Sequence, residues 1–158
     1  MHIMFFSWNG LVLDSTMPIG MIVNIQYYCT HLQNKVRPAV CHKQSELLED
    51  AVIFLQDNAA PHHHCNVPNL VHCWGCEVLA HHSYSPYLAA YDYWLFAHVK
   101  EHLQGKWFES EVDSNIAVTA SFHHLGKAEC RAAIDHLPHR CEKCVDTDGG
   151  YIVYKAYL

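Results

Sequence analysis

The feature that most constrains this chain is a continuous apolar run, Val52-Ile53-Phe54-Leu55, closed by Gln56-Asp57-Asn58. β-Branched and aromatic residues with no alternating polar set fit a strand covered on both faces, as in a mostly parallel sheet flanked by helices. Asp57 then falls at the C-terminal end of that strand, the edge where open α/β sheets place their ligand chemistry. A second short strand is expected from Cys76 to Leu79, running into the loop His81-His82-Ser83-Tyr84-Ser85-Pro86. Beyond the loop, Leu95, Val99 and Leu103 recur every four residues, which predicts a helix with an apolar stripe. Asp92 lies in its first turn, where the helix dipole favours a carboxylate.

The other segments extend the same α/β pattern. Met4 to Ser7 and Leu11 to Ser15 read as strands joined at Trp8-Asn9-Gly10, because Asn-Gly is a strong hairpin signal. Pro18 and Gly20 close the hairpin. Asn24 to about Asp50 has a helical pattern that Pro38 must break or kink, with a further turn from Ser45 to Asp50. The remainder, to about Cys144, reads as helix, and Gly149-Gly150 ends the regular structure. No repeat or linker divides the 158 residues, so one domain is expected. At that length roughly 70% of the unfolded surface can be buried.

Charge narrows the function classes. Ten basic and sixteen acidic residues leave a net charge of −6 at pH 7, the wrong sign for gripping phosphate backbones over a broad surface. A nucleic-acid role therefore needs a local site or a bound cation. Residues 1–13 lack the basic start and the cleavage site of a signal peptide. No apolar run approaches the roughly 20 residues that span a bilayer, so no membrane role is expected. Without a signal peptide, the eight Cys are read as reduced thiols in nucleus or cytosol.

Asp57 at a strand end and Asp92 at a helix start, with thirty-four residues between them, suit phosphoryl transfer. That chemistry needs hard oxygen ligands holding one or two Mg²⁺, with about 3.5–4 Å between paired ions. Taken alone, the two Asp are weak evidence and fit better the bland reading, an N-cap-like turn residue and a helix-dipole residue. The surrounding residues are more specific. Val52 to His62 resembles the mariner-family block in which a strand ends in D-N-A-x-P-H, here Asp57, Asn58, Ala59, Pro61 and His62. Glu77-Val78-Leu79-Ala80-His81, then Tyr84-Ser85-Pro86, Leu88-Ala89 and Asp92-Tyr93 with Leu95-Phe96, resemble that family's E-V-L-P-H, Y-S-P-D-L-A-P and D-Y-x-L-F run. Leu103-Gln104-Gly105-Lys106 with Phe108 resembles its L-x-G-x-x-F segment. Leu137, Arg140, Lys143-Cys144-Val145 and Gly150-Tyr151 resemble its closing block. The likeness runs in order along nearly the whole chain.

The resemblance to mariner transposases implies an RNase H-like α/β fold, a mixed sheet flanked by helices. It implies three carboxylates that bind Mg²⁺ or Mn²⁺ for DNA cleavage and strand transfer. Carried over by position, Asp57 is the second and Asp92 the third. Asn58, Pro61, His62, His81, Tyr84, Ser85, Pro86 and Tyr93 are motif residues around them. DNA is the implied partner, the nucleus the implied compartment, and a homodimer stays open. The family's first carboxylate lies on a strand upstream of the segment matching Met4 to Gly10. These residues, starting at Met1, contain no counterpart of it, nor of the helix-turn-helix domain. The expectation is a partial domain, lacking the first strand of the fold and inactive as written. Tyr87 stands where the family has Asp, Ala90 where it has Pro, and Cys141 where it has Trp.

Two further readings come from other classes. One is a transposon-derived remnant without catalysis, acting through nucleic-acid binding or self-association. The other is a Zn²⁺ module built on His62-His63-His64-Cys65, His72-Cys73, Cys76 and His81-His82, with Cys141 and Cys144 as a second C-x-x-C. Sixty-four residues separate the two C-x-x-C pairs, too far for one ribbon. Cys73 reads better as a small apolar residue in a helix, so Zn²⁺ is the less favoured partner. Tyr27, Tyr28, Tyr91, Tyr93, Trp94 and Phe96 read mostly as core, rather than as base-stacking platforms.

Overall fold

The computed structural model describes residues 1–18, 20–43, 45, 52–64 and 66–149. Residues 46–50 of the expected helical turn, Cys65, and Gly150-Tyr151 of the closing motif lie outside them. Strands β1 (His2–Ser7) and β2 (Gly10–Thr16) form an antiparallel hairpin about Trp8-Asn9. Gly10 has φ +107, a conformation that disfavours any side chain. Phe5 pairs with Leu13 and Phe6 with Leu11, which leaves Val12 as a bulge. A one-residue slip flips faces, so Phe5 and Leu13 face one core while Met4, Phe6 and Leu11 face another.

Asn24 caps α1 (Ile25–His31) by accepting a bond from Tyr27 N at 2.8 Å. The helix does not break at Pro38. It widens into one π turn, Leu32–Val36, and continues as α2 (Arg37–Lys43). Pro38 thereby becomes the second residue of a new α-helical stretch, where its missing N–H is tolerated.

Strand β3 (Ile53–Leu55) pairs in parallel with β4 (Glu77–Leu79). Between them lie α3 (Ala60–His63) and α4 (Asn66–His72). After a 3₁₀ turn, Pro86–Leu88, and a π turn, Tyr91–Leu95, come α5 (Phe96–Leu103), α6 (Glu111–His123) and α7 (Lys127–Asp146). Tyr28, Leu32, Val36, Val67 and Val71 make one core, onto which both strand pairs pack. Leu95, Val99, Phe122, Leu125 and Cys130 make the second.

Two sequence expectations are corrected. Strand β3 is not covered on both faces: Ile53 is 60% exposed, and among the described residues β3 has β4 as its one strand neighbour. Cys73 is exposed in the turn after α4, whereas Cys76 is buried. Of the aromatics, Tyr28 is buried and Phe96 is 46% exposed; the others are partly buried. No helix of the described residues is long and apolar enough to cross a membrane.

Among the described residues, β1 and β3 each have one unpaired edge, and such edges template association. Ile53→Lys is expected to lower the oligomer fraction in sedimentation velocity and to change stability by about 0.5 kcal/mol or less. Unchanged association would show that the β3 edge does not drive it.

Candidate active site

Because β3 and β4 are parallel and in register, the chain leaves both at the same edge of the sheet. Asp57 and Asn58 leave β3 there, and His81 leaves β4. The Asn58 amide donates to the His81 carbonyl and to Ser83 Oγ at 3.2 Å, so one side chain ties the two loops. Asp57 Oδ1 accepts from Ala59 N at 3.2 Å, a local bond that leads into α3 with Pro61 in its first turn. The same oxygen accepts from His62 Nδ1. The His62 ring packs on Tyr28 at 4.2 Å; Tyr28 donates to Gln56 Oε1 at 3.2 Å, and Gln56 Nε2 donates to the His62 carbonyl at 2.9 Å. This closed circuit anchors Asp57 to the first core.

Asp92 is placed by the second core. Ser85 is buried and donates to the Ser83 carbonyl at 3.2 Å. Pro86 then opens the 3₁₀ turn, and buried Leu88, Ala89 and Ala90 seat the chain before the π turn. Asp92 N donates to the Ala89 carbonyl at 2.9 Å. Tyr93 points to α7: its hydroxyl donates to the Ala133 carbonyl at 2.6 Å, and the Arg140 guanidinium lies 3.7 Å from its ring. Arg140 also donates to the Tyr87 carbonyl at 3.2 Å, which clamps the Asp92 segment against α7.

Asp57, Asn58, His81, Tyr84, Ser85, Pro86 and Asp92 line one open cleft of about 400 Å³. Pro61, His62 and Tyr93 do not line it; they support it from behind. Tyr84 adopts φ +57 and is 93% exposed. The supporting roles of Tyr28, Gln56 and Ser83 were not foreseen from sequence. Only Gln56, adjacent to Asp57, carried any local signal.

The cleft is electrostatically strained in one direction. Partial burial holds the Asp92 carboxyl above its usual range, and the Asp57 charge adds to this while His81 opposes it. The effects of burial and Asp57 thus outweigh the dipole benefit expected from the helix start. Burial lowers the His81 pKa, against the pull of Asp57 and Asp92. Burial, then the same two carboxylates, also pushes the Tyr91 phenol upward, and its buried hydroxyl has no hydrogen-bond partner among the described residues.

A carboxyl whose folded pKa is raised contributes stability that is complete below its unfolded value, about 4, and is lost as pH rises through the folded value. Asp92→Asn removes that loss. In chelator at pH 7 it is expected to stabilise the fold by about 0.5 kcal/mol, a figure reduced for solvent screening, with no gain near pH 3. Urea melts at the two pH values check it; an equal gain at both would assign the effect to packing.

No protein-family model matches the chain. Over 146 residues it is 34% identical to the Mariner Mos1 transposase of Drosophila mauritiana, covering 91% of this chain and 42% of that protein. The chain therefore spans less than half the length of this relative. The crystal structure of the catalytic domain of Mos1 mariner transposase superposes with a TM-score of 0.85 at 30% identity, covering 97% of this chain and 81% of that one. The chain belongs to the mariner transposase family. This mariner chain shares the mixed α/β, RNase H-like architecture of that catalytic domain. A Mos1 transposase paired-end complex with left transposon end matches it with a TM-score of 0.83 at 32% identity, covering 94% of this chain and 43% of that one. Solved structures of the Mos1 catalytic domain include forms with Mg and with Mn.

Proposed function

We propose that this chain is part of a DNA-cleaving and strand-transferring domain of mariner type, in which Asp57 and Asp92 hold Mg²⁺ or Mn²⁺ and which the 158 residues alone do not complete. The observation that carries the reading is the meeting of these two carboxylates in one cleft that, among the described residues, is lined by no Lys or Arg. Like charges brought together with only imidazoles as basic neighbours suit a divalent cation, and carboxylate oxygens suit Mg²⁺ and Mn²⁺. The bound cation would stabilise the charge that develops at a phosphate and activate the attacking oxygen.

The chain's own residues set the geometry for that chemistry. Both hydrogen bonds to Asp57 use Oδ1, leaving Oδ2 as the atom for a cation. Asn58 fixes the separation of the two loops, and the clamp of Arg140 on Tyr93 fixes the Asp92 segment. With a net charge of −6, attraction to DNA is concentrated at the cation. We read the 158 residues as a single partial catalytic domain that acts on DNA in the nucleus, with a homodimer as the assembly left open to it.

The test is cleavage of a transposon-end duplex by a protein carrying this domain. Nicking is expected only with Mg²⁺ or Mn²⁺, falling at least about 10³-fold in Asp57→Ala and in Asp92→Ala. Nicking in chelator, or at parental rates in both variants, would overturn the assignment. If the 158 residues bind duplex and cation without nicking it, the non-catalytic binding role is the correct one for them.

A further inference from the structure

Helix α6 carries apolar residues on two faces. Val118 and Phe122 pack into the second core. Val112 and Ile116 are turned away from it, 66% and 62% exposed, and exposed Ala120 follows one turn further on. Their i,i+4 spacing makes these three a stripe along one side of the helix. Beside the stripe runs an open groove of about 410 Å³, between α6 and Thr16 at the end of β2. Single apolar residues on a surface are ordinary, whereas a contiguous apolar patch marks an interaction site. A helix that is apolar on both sides is normally covered on both.

The groove is held in shape from its inner side. Thr119 Oγ1 donates to Asp14 Oδ2 at 2.8 Å, and His2 Nε2 lies 3.1 Å from Asn115 Oδ1. His2 Nδ1 lies 3.0 Å from Asp14 Oδ1, in a pair whose side chains are only 12% and 6% exposed. These contacts pin α6 to the hairpin. Ser110 fixes the start of the helix by accepting from Asp113 N at 3.1 Å. A surface built this firmly needs little ordering when it binds.

What the stripe fits is set by the two ends of the helix. Glu109, Glu111 and Asp113 stand at the N-terminal end and His123 and His124 at the C-terminal end, all of them exposed. No Lys or Arg occurs between Lys106 and Lys127. A second α6 laid antiparallel brings the acidic end of each copy to the His end of the other and opposes the two helix dipoles. A parallel one would bring like ends together. With Ile116 on the two-fold axis, Val112 meets Ala120 of the second copy, large against small. Glu109 falls beside His123 of that copy, a carboxylate beside an imidazole N–H, and the symmetry repeats the pair.

We propose that this face of α6 is a self-association surface, through which two copies of the chain pair antiparallel on Val112, Ile116 and Ala120. The contact uses the same patch on both copies and closes on itself, unlike open pairing at a strand edge. One helix pair buries less than the roughly 1,200 Å² of a standard interface, so the dimer is weak, with a dissociation constant on the order of 10 µM. The surface shares no residue with the cleft, and it stands independently of the cleavage reading.

The test is sedimentation equilibrium in chelator at up to about 100 µM chain. It is run on the chain and on Ile53→Lys, so that association through the β3 edge is counted apart. A monomer–dimer equilibrium is expected in both. Ile116→Glu sets like charges on the axis and should weaken the dimer at least about 100-fold. Glu109→Lys and His123→Glu should each weaken it at least about threefold. The double variant Glu109→Lys/His123→Glu should recover most of the parental affinity, because opposite charges meet again. All three positions are exposed, and thermal melts show that the fold is kept. Three outcomes would overturn the proposal: a monomeric Ile53→Lys chain at the highest concentration, parental affinity in Ile116→Glu, or a double variant weaker than either single one.

Discussion

Asp57→Asn is expected to weaken Mn²⁺ binding by the isolated chain at least about 100-fold, equivalent to about 2.7 kcal/mol, while the fold survives. Asn keeps an oxygen where Oδ1 accepts from Ala59 N and His62, so the turn into α3 persists. It removes the formal charge, and charge count sets the affinity of an oxygen site for a divalent ion. The Asp57 side chain is 45% exposed, so no core is disturbed. Asp92→Asn should weaken binding similarly while stabilising the cation-free fold at neutral pH. That opposition of stability and binding is the mark of a functional carboxylate. Electron paramagnetic resonance of free Mn²⁺ reads the affinity directly. Parental affinity in both variants would show that the cleft is not the cation site.

Leu32→Ala should cost about 3 kcal/mol, and Leu95→Ala a similar amount, since both side chains are 0–2% exposed and deletion leaves a cavity. Against a total stability of roughly 5–15 kcal/mol, either loss is large. The two residues sit in different cores, one behind Asp57 and the other behind Asp92. Their effects should add within about 0.5 kcal/mol if the cores are independent. Urea unfolding of the single and double variants measures this. A cost below about 1 kcal/mol for Leu32→Ala would mean that the first core does not hold the strand pairs to the helix.

The local elements were legible because their signals are local. Asn9-Gly10 specifies a tight turn whatever surrounds it, and the hairpin lies where those residues put it. Leu95, Val99 and Leu103 repeat at helical spacing, and the helix they predict is present, entered through a π turn. The mariner motifs placed Asp57 and Asp92 in a family context that the structural match to the Mos1 catalytic domain supports. Pro38 reads as a break or a kink because residue type reports only the missing N–H, and the helix continues through it after a π turn. The π turn that renders it harmless depends on how Leu32 and Val36 seat in the core.

Order and type of residues thus sufficed for the hairpin, the two short strands and the helical stretches. Tertiary packing alone settled the rest. Exposure of Ile53, the circuit Tyr28–Gln56–His62 behind Asp57, the Arg140 clamp on Tyr93, and the approach of His124 to His102 all join residues far apart in the chain or depend on which neighbours cover an element. Periodicity describes one face of one element. It carries no information about which other element will meet that face, and that choice sets burial, carboxyl pKa and the geometry of a site.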